Sequence, residues 1–184
     1  MRLHLACALA LVTTVAGCRP NPHRAALKHV TYAWWITVRF RPNGDSIAGI
    51  PIRSVDSTWT GALALNRAVL PPEAQRDPSS LADSLVAFTL DGDFNRDGAP
   101  DRALVGVYQT AAGATGRFLL ILTLRGKRWQ KADVLKEPGD PGFSVLTVHG
   151  DTLSWWDCME CDFGFEVAWN GHEYAVLPAS SRKE

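Results

Sequence analysis

The chain of 184 residues lacks an excess of charge of either sign, because its 19 Lys and Arg side chains are matched by 19 Asp and Glu side chains. Nucleic-acid-binding proteins usually carry extra basic residues that neutralise phosphates. The balance therefore argues against a nucleic-acid partner. With 46% apolar residues, including seven Trp and seven Phe, the composition is that of a folded domain rather than of an acidic disordered segment.

The sequence also lacks the short motifs of common catalytic chemistries. It has no G-x-S-x-G, no H-E-x-x-H and no glycine-rich phosphate loop. His149, Asp151 and Ser154 are close in sequence, but they span a predicted hairpin turn, where such residues are common. We therefore expect no catalytic residues and a protein that is not an enzyme.

Long hydrophobic runs are missing as well, since no apolar stretch reaches the roughly 20 residues that a membrane-spanning helix needs. The N-terminus has the organisation of an export signal, with the positive Arg2, an apolar core at 5–12 and small residues after it. The signal ends in Val15-Ala16-Gly17-Cys18. This tetrapeptide resembles the lipobox of bacterial lipoprotein precursors, in which an aliphatic residue and two small residues precede a cysteine.

The lipobox resemblance implies a signal peptide at 1–17 and lipidation of Cys18, with a diacylglyceryl thioether and an acyl chain such as palmitate on the new amino group. Several acyl chains give a stable membrane anchor. The implied location is the cell envelope, and Arg19 in the second mature position favours the outer membrane facing the periplasm if the source is a double-membraned bacterium. The alternative is a plain secretory signal with an incidental cysteine.

The sequence predicts a lipidated tether at 18–28 and a single β-rich domain at 29–184. Period-two alternation over 29–40 predicts a long strand, which an Asn43-Gly44 turn folds back as a hairpin with 47–52. Residues 56–70, with a polar cap and a following Pro71-Pro72, are the predicted helix.

The rest of the domain reads as short strands between turn signals. The predicted strands are 85–90, 102–108, 117–124, 129–135, 143–149, 152–157, 162–169 and 173–177. Residues 118–122 are apolar throughout, which predicts a central strand covered on both faces. The predicted fold is mainly β (α+β), an antiparallel β meander with one short helix.

The most informative stretch is 91–101, because it places oxygen-bearing side chains at every second position before a glycine. Calcium binds six to eight oxygen atoms, and a chain that wraps around the ion presents alternate side chains and a backbone carbonyl. Close carboxylates repel one another in the absence of a cation. The predicted Ca2+ ligands are Asp93, Asn95, Asp97, the backbone carbonyl of Ala99, and Asp101, with water completing the shell.

Residues 93–101 resemble the DxDxDGxxD loops of the FG-GAP and VCBS repeats, the family of the integrin α-chain β-propeller, with Asn95 in the second acidic place. In that family a calcium loop joins two strands of a blade. The resemblance implies blade-like units similar to a propeller fragment, with one such unit at 85–135. The loop is not an EF-hand, because Leu104 stands where a bidentate Glu is required. The alternative is a polar turn without metal, whose carboxylates Arg96 and Arg102 neutralise.

Two weaker features remain. Cys158 and Cys161 form a Cys-x-x-Cys, for which a short-loop disulfide is expected in an exported protein, with a metal site or a redox pair as alternatives. Five tryptophans could line a carbohydrate or peptide groove or could pack in the core. They are Trp34, Trp35, Trp155, Trp156 and Trp169.

The sequence therefore predicts a lipid-anchored envelope lipoprotein with a structural calcium loop, acting as a non-catalytic binding or interaction module. Its expected partners are the membrane, through the anchor, and an envelope protein or a glycan. The alternative is an envelope hydrolase or an enzyme inhibitor that uses a Trp-rich face.

Overall fold

Antiparallel strands dominate the computed structural model, which describes residues 33–76, 81, 86–159 and 164–177. The mainly β prediction is confirmed. The first sheet contains β3 (Trp59–Ala64), β4 (Thr89–Gly92), β5 (Asp101–Thr110), β6 (Thr115–Arg125) and β7 (Arg128–Pro138). The second sheet contains β8 (Val145–His149), β9 (Thr152–Trp156), β10 (Phe165–Trp169) and β11 (Tyr174–Val176). The predicted strands from 102 onwards thus all occur, with shifted ends.

Each sheet contains a four-stranded antiparallel meander, β4 to β7 and β8 to β11. This is the strand connectivity of a propeller blade. The first sheet departs from a simple blade, because β3 and β4 lie end to end along the same edge of β5. The described residues therefore contain two blade-like meanders and no closed ring of blades.

The two sheets pack face to face through alternate residues of their strands. Val105 and Leu119 of the first sheet share one buried cluster with Leu153 and Val167 of the second. The opposite face of the first sheet is covered by a small layer that includes Ile47 and forms a second cluster. The 118–122 segment of β6 is therefore buried on both faces, as predicted.

The predicted strand at 29–40 is wrong where the chain is described, because Trp34–Thr37 forms a helical turn, α1. Residues 29–32 lie outside the described residues. A strand would send neighbouring side chains to opposite faces, whereas here Trp34 and Trp35 are both buried in the same cluster, with ring centroids 5.8 Å apart. The burial of both indoles outweighs the alternating pattern.

The predicted hairpin of 29–40 with 47–52 is also wrong. The observed hairpin is the short pair β1 (Ser46–Ile47) and β2 (Ile50–Pro51), turned by Ala48 and Gly49, whose φ values are 50° and 78°. Gly44 bridges to Ala62 of β3 instead, and a Cβ at Gly44 would lie 2.7 Å from the Ala62 carbonyl oxygen. Gly44 serves a close backbone approach and not the predicted turn.

The predicted helix at 56–70 is replaced mainly by β3 and a 3₁₀ turn at Arg67–Val69. Trp59 stacks on Tyr108 of β5 with centroids 5.0 Å apart and an interplanar angle of 7°. Pairing with β5 therefore overrides the local helical pattern. Short α-helical segments occur instead at α1, α2 (Ile52–Val55) and α3 (Pro72–Arg76). No helix among the described residues has the length and apolarity to cross a membrane.

Candidate functional site

The carboxylate loop, residues 93–100, connects the neighbouring strands β4 and β5. The chain turns at Gly98, which has φ of 79°, a left-handed conformation that glycine adopts without steric cost. Arg96 also lies in the left-handed region, with φ of 58°. The loop is therefore a tight turn whose backbone N–H groups are directed towards its own side chains.

Three side chains of the loop accept hydrogen bonds from consecutive backbone N–H groups. The Asp93 carboxylate accepts from the N–H of Asp97 at 3.1 Å and from that of Gly98 at 3.0 Å. Asn95 Oδ1 also accepts from the Asp97 N–H, at 3.0 Å. Asp97 Oδ1 accepts from the Ala99 N–H at 2.8 Å. Oxygen atoms of Asp93, Asn95 and Asp97 thus gather around one turn of the backbone.

Asp101 has a different environment, because its side chain has no solvent exposure. Its Oδ1 accepts a hydrogen bond of 2.6 Å from the Thr123 hydroxyl on β6. Its Oδ2 accepts bonds of 3.0 Å from the Phe94 N–H and from the Tyr174 hydroxyl on β11. Burial and the neighbouring Asp101 carboxylate raise the pKa of the Tyr174 hydroxyl, so Tyr174 remains a donor. Asp101 ties the loop to both sheets.

A basic side chain approaches the loop carboxylates directly. Arg125, at the end of β6, lies 2.9 Å from Asp97 Oδ2. The Ala99 N–H, the Asn95 amide and Arg125 together lower the pKa of the Asp97 carboxyl. Of the two arginines expected to neutralise the carboxylates of 91–101, Arg102 pairs with Asp91 at 2.7 Å, whereas Arg96 pairs with Asp151, outside the stretch, at 2.8 Å.

Four of the five predicted positions present oxygen atoms of the kind that calcium binds. These are the side-chain oxygens of Asp93, Asn95 and Asp97 and the Ala99 carbonyl, and each carboxylate oxygen has lone-pair capacity beyond the hydrogen bonds it accepts here. The Asp101 carboxylate instead accepts its three hydrogen bonds in the core. Among the described residues, no three carboxylate, His or Cys side chains converge into a metal-binding group. The role of Asp101 as a calcium ligand stays a prediction.

Sequence reasoning missed three residues that act on the loop: Thr123, Arg125 and Tyr174. The first two could have been found, because antiparallel pairing of β5 with β6 sets Asp101 opposite Thr123 and brings the β6 end beside the loop. Tyr174 carries no such signal. It is 73 positions from Asp101 in sequence and reaches it only because the two sheets pack together.

The five tryptophans do not form one face. Trp34 and Trp35 are core residues, and Trp169 is half-buried against Tyr174, with ring centroids 5.1 Å apart. Trp155 and Trp156 border a common cavity, with a volume of about 230 Å³. Its other described lining residues are Glu137, Asp157, Gly164 and Phe165. This tryptophan cavity is the concave feature that the Trp-rich alternative requires.

The remaining predicted sites are covered only in part. Cys158 is buried and disulfide-bonded, while Cys161 lies outside the described residues, so their mutual pairing stays a prediction. Cys18, the signal peptide at 1–17 and the tether at 18–28 also lie outside the described residues. His149 and Ser154 lie on opposite strands of the β8–β9 hairpin, opposite Thr152 and Thr147 respectively.

Comparison with known proteins gives no match: no family model fits the chain, and neither a curated protein nor a solved structure is similar to it.

Proposed function

We propose that this protein is a lipid-anchored module of the cell envelope that binds a partner without catalysis, and that the loop at 93–101 holds a structural calcium ion. The observation that carries the calcium part is the turn at 93–98. There, oxygens of Asp93, Asn95 and Asp97 converge around the N–H groups of 97 to 99. Such a turn arranges hard oxygen donors of the kind that calcium prefers.

The loop residues have two different roles in this proposal. Asp93, Asn95, Asp97 and the Ala99 carbonyl hold the ion, whose positive charge offsets the repulsion between the carboxylates. Asp101 fixes the start of β5 against β6 and β11 through its three hydrogen bonds. Calcium would therefore stiffen the connection between two strands whose positions are already set by the core.

The proposed envelope location and anchor rest on the resemblance of residues 15–18 to a lipobox. Extracellular calcium modules bind with dissociation constants of about 10⁻⁴ to 10⁻³ M. Such an affinity suits a site that stays filled where calcium is abundant, and it does not suit a cytosolic sensor.

A second candidate, an envelope hydrolase or enzyme inhibitor acting through its Trp-rich face, is favoured by the tryptophan cavity. The carboxylates there are Glu137 and Asp157, and both pair with Arg117, at 2.7 and 3.2 Å. The cavity therefore combines aromatic walls with carboxylates that are already paired, which supports the binding of a ligand.

Calorimetric titration of the mature protein with calcium tests the proposal. We expect one site in the 10⁻⁴ to 10⁻³ M range, and loss of the heat in Asp97→Ala. Asp91→Ala is the matched control, because Asp91 lies just before the loop and pairs with Arg102. An absence of heat in the parent protein, or unchanged binding in Asp97→Ala, would reject the calcium site.

A further inference from the structure

The tryptophan cavity combines aromatic walls with carboxylates. The Trp155 and Phe165 rings lie 5.7 Å apart on the paired strands β9 and β10. The Trp156 indole is fixed by its N–H, which donates to the Thr147 hydroxyl at 3.0 Å. Gly164 packs directly on this indole, since a Cβ there would lie 2.7 Å from the ring. The aromatic walls are thus held in place by the surrounding structure.

The carboxylates of the cavity share a single arginine. Arg117, with 15% of its side chain exposed, reaches Oε2 of Glu137 and Oδ2 of Asp157, and also donates to the Phe143 carbonyl at 3.3 Å. Oε1 of Glu137 and Oδ1 of Asp157 accept no hydrogen bond from any part of the chain that is described. The described lining together with Arg117 therefore carries one net negative charge and two free acceptors.

Aromatic faces and a net negative charge favour the same kind of ligand. A cation is attracted to the face of an aromatic ring and to a carboxylate. The cavity of about 230 Å³ is smaller than the roughly 300–1,000 Å³ of pockets that enclose a drug-sized molecule. It has room for one functional group on an apolar stem, as in a basic side chain.

We infer that the tryptophan cavity is a docking pocket for a single Lys or Arg side chain of a partner polypeptide. The aliphatic stem packs on Trp156 and Phe165, and the charged head donates to Oε1 of Glu137 and Oδ1 of Asp157. The choice of a polypeptide partner rests on the proposed role as an interaction module. The pocket itself does not depend on calcium, because Asp157 follows the end of β9 that is remote from the loop contact at Asp151.

The test uses the mature lipoprotein in detergent micelles, with ¹⁵N-labelled tryptophan and nuclear magnetic resonance detection of the indole N–H groups. The Trp156 signal is assigned from its absence in Trp156→Phe. The probe is Nα-acetyl-lysine amide, and Nα-acetyl-norleucine amide is the uncharged control. We expect saturable shifts of the Trp156 signal with the lysine probe only, and affinity weakened about two- to fivefold in Asp157→Asn, the range for a partly exposed ion pair. Asp140→Asn, an exposed carboxylate paired with Arg39, should leave the affinity unchanged.

Equal shifts with both probes, or equal affinity in Asp157→Asn and Asp140→Asn, would overturn the inference. Titration with N-acetylglucosamine supplies a further arm. Shifts with the sugar but not with the lysine probe would assign the cavity to a glycan and reject a basic side chain. Calcium calorimetry on the same sample separates the two proposals. If calcium binding is retained but no probe shifts the Trp156 signal, only the docking pocket is rejected.

Discussion

Asp101 offers the sharpest perturbation, because the structure and the family resemblance give it different roles. In the structure its carboxylate accepts three hydrogen bonds in the core, from Thr123, Phe94 and Tyr174. Asp101→Asn keeps the shape but removes the charge and replaces one acceptor oxygen by an NH2 donor. If the amide oxygen faces Phe94 and Tyr174, their two bonds become bonds to a neutral acceptor, and the Thr123 hydroxyl has to turn and accept from the new NH2 group. Hydrogen bonds to a charged acceptor contribute about 1.5–3 kcal/mol and neutral ones about 0.5–1.5 kcal/mol, so the three changes together imply a loss of about 3 kcal/mol.

The assay is urea unfolding in the presence of EGTA, followed by tryptophan fluorescence and extrapolated linearly to water. Removing calcium matters, because a residue that acts only as a metal ligand contributes nothing without the metal. Asp91→Asn is the matched control. Its side chain is 60% exposed in its pair with Arg102, and such pairs contribute about 0–1 kcal/mol.

An Asp101→Asn protein as stable as the parent in EGTA would refute the reasoning. A more stable variant would do so more strongly, because it would mean that Asp101 mainly repels Asp93 and Asp97 when no ion is present. A double-mutant cycle with Tyr174→Phe then isolates one of the three bonds. A coupling energy near zero would show that the contribution of the Tyr174 hydroxyl to stability does not depend on the Asp101 charge.

Two further predictions concern charges. Arg125 pairs with Asp97 and would compete with the proposed calcium ion for this carboxylate, so Arg125→Gln should bind calcium about two- to fivefold more tightly in calorimetry. An equal gain in Arg128→Gln, which makes the same charge change at the paired position of β7, would show only a general electrostatic effect. Burial raises the pKa of Asp56, but hydrogen bonds led by that from Lys136 bring it to about 2. The ionised carboxylate therefore stabilises the fold fully above about pH 4, the unfolded value, and this contribution is lost as the pH falls towards 2. Urea unfolding midpoints at pH 5, 3 and 2 should show the stability advantage of the parent over Asp56→Asn shrinking, and a constant advantage would contradict the assignment.

The strands after residue 100 could be predicted from sequence because their side-chain pattern and their environment agree. The 118–122 segment of β6 is apolar at every position, and both of its faces are buried. The turn at Gly126 and the turn at Gly150 both have left-handed glycines, with φ of 64°. Local turn chemistry and the pattern of burial lead to the same strands there.

The secondary-structure predictions for the N-terminal half were wrong because long-range contacts decide its structure. Residues 59–64 form a strand since the free edge of β5 requires a partner, and Trp59 gains a stacked contact with Tyr108. Neither the pairing with β5 nor the stacking on Tyr108 can be inferred from the sequence of 56–70 alone. The strand predicted from the alternation at 33–40 was wrong for the same reason, because Trp34 and Trp35 are both buried in the core.

In the candidate site, too, the local features could be predicted from the sequence and the long-range contacts could not. The spacing of Asp93, Asn95 and Asp97 around Gly98 predicts a tight oxygen-rich turn, and the structure places these oxygens together. The hydrogen bond from Tyr174 to Asp101 could not be predicted, because it depends on how the second sheet packs on the first.

The most direct test of the central claim, a calcium ion held at 93–101, is the melting temperature of the mature protein in EGTA and in 10 mM calcium. At 10- to 100-fold excess over the dissociation constant, binding stabilises the fold by about 1.4–2.7 kcal/mol. For a domain of this size, that corresponds to a rise of about 3–10 °C. The account predicts this rise in the parent and in Asp91→Asn, and its loss in Asp97→Asn. An unchanged melting temperature in the parent, or an equal rise in all three proteins, would contradict it.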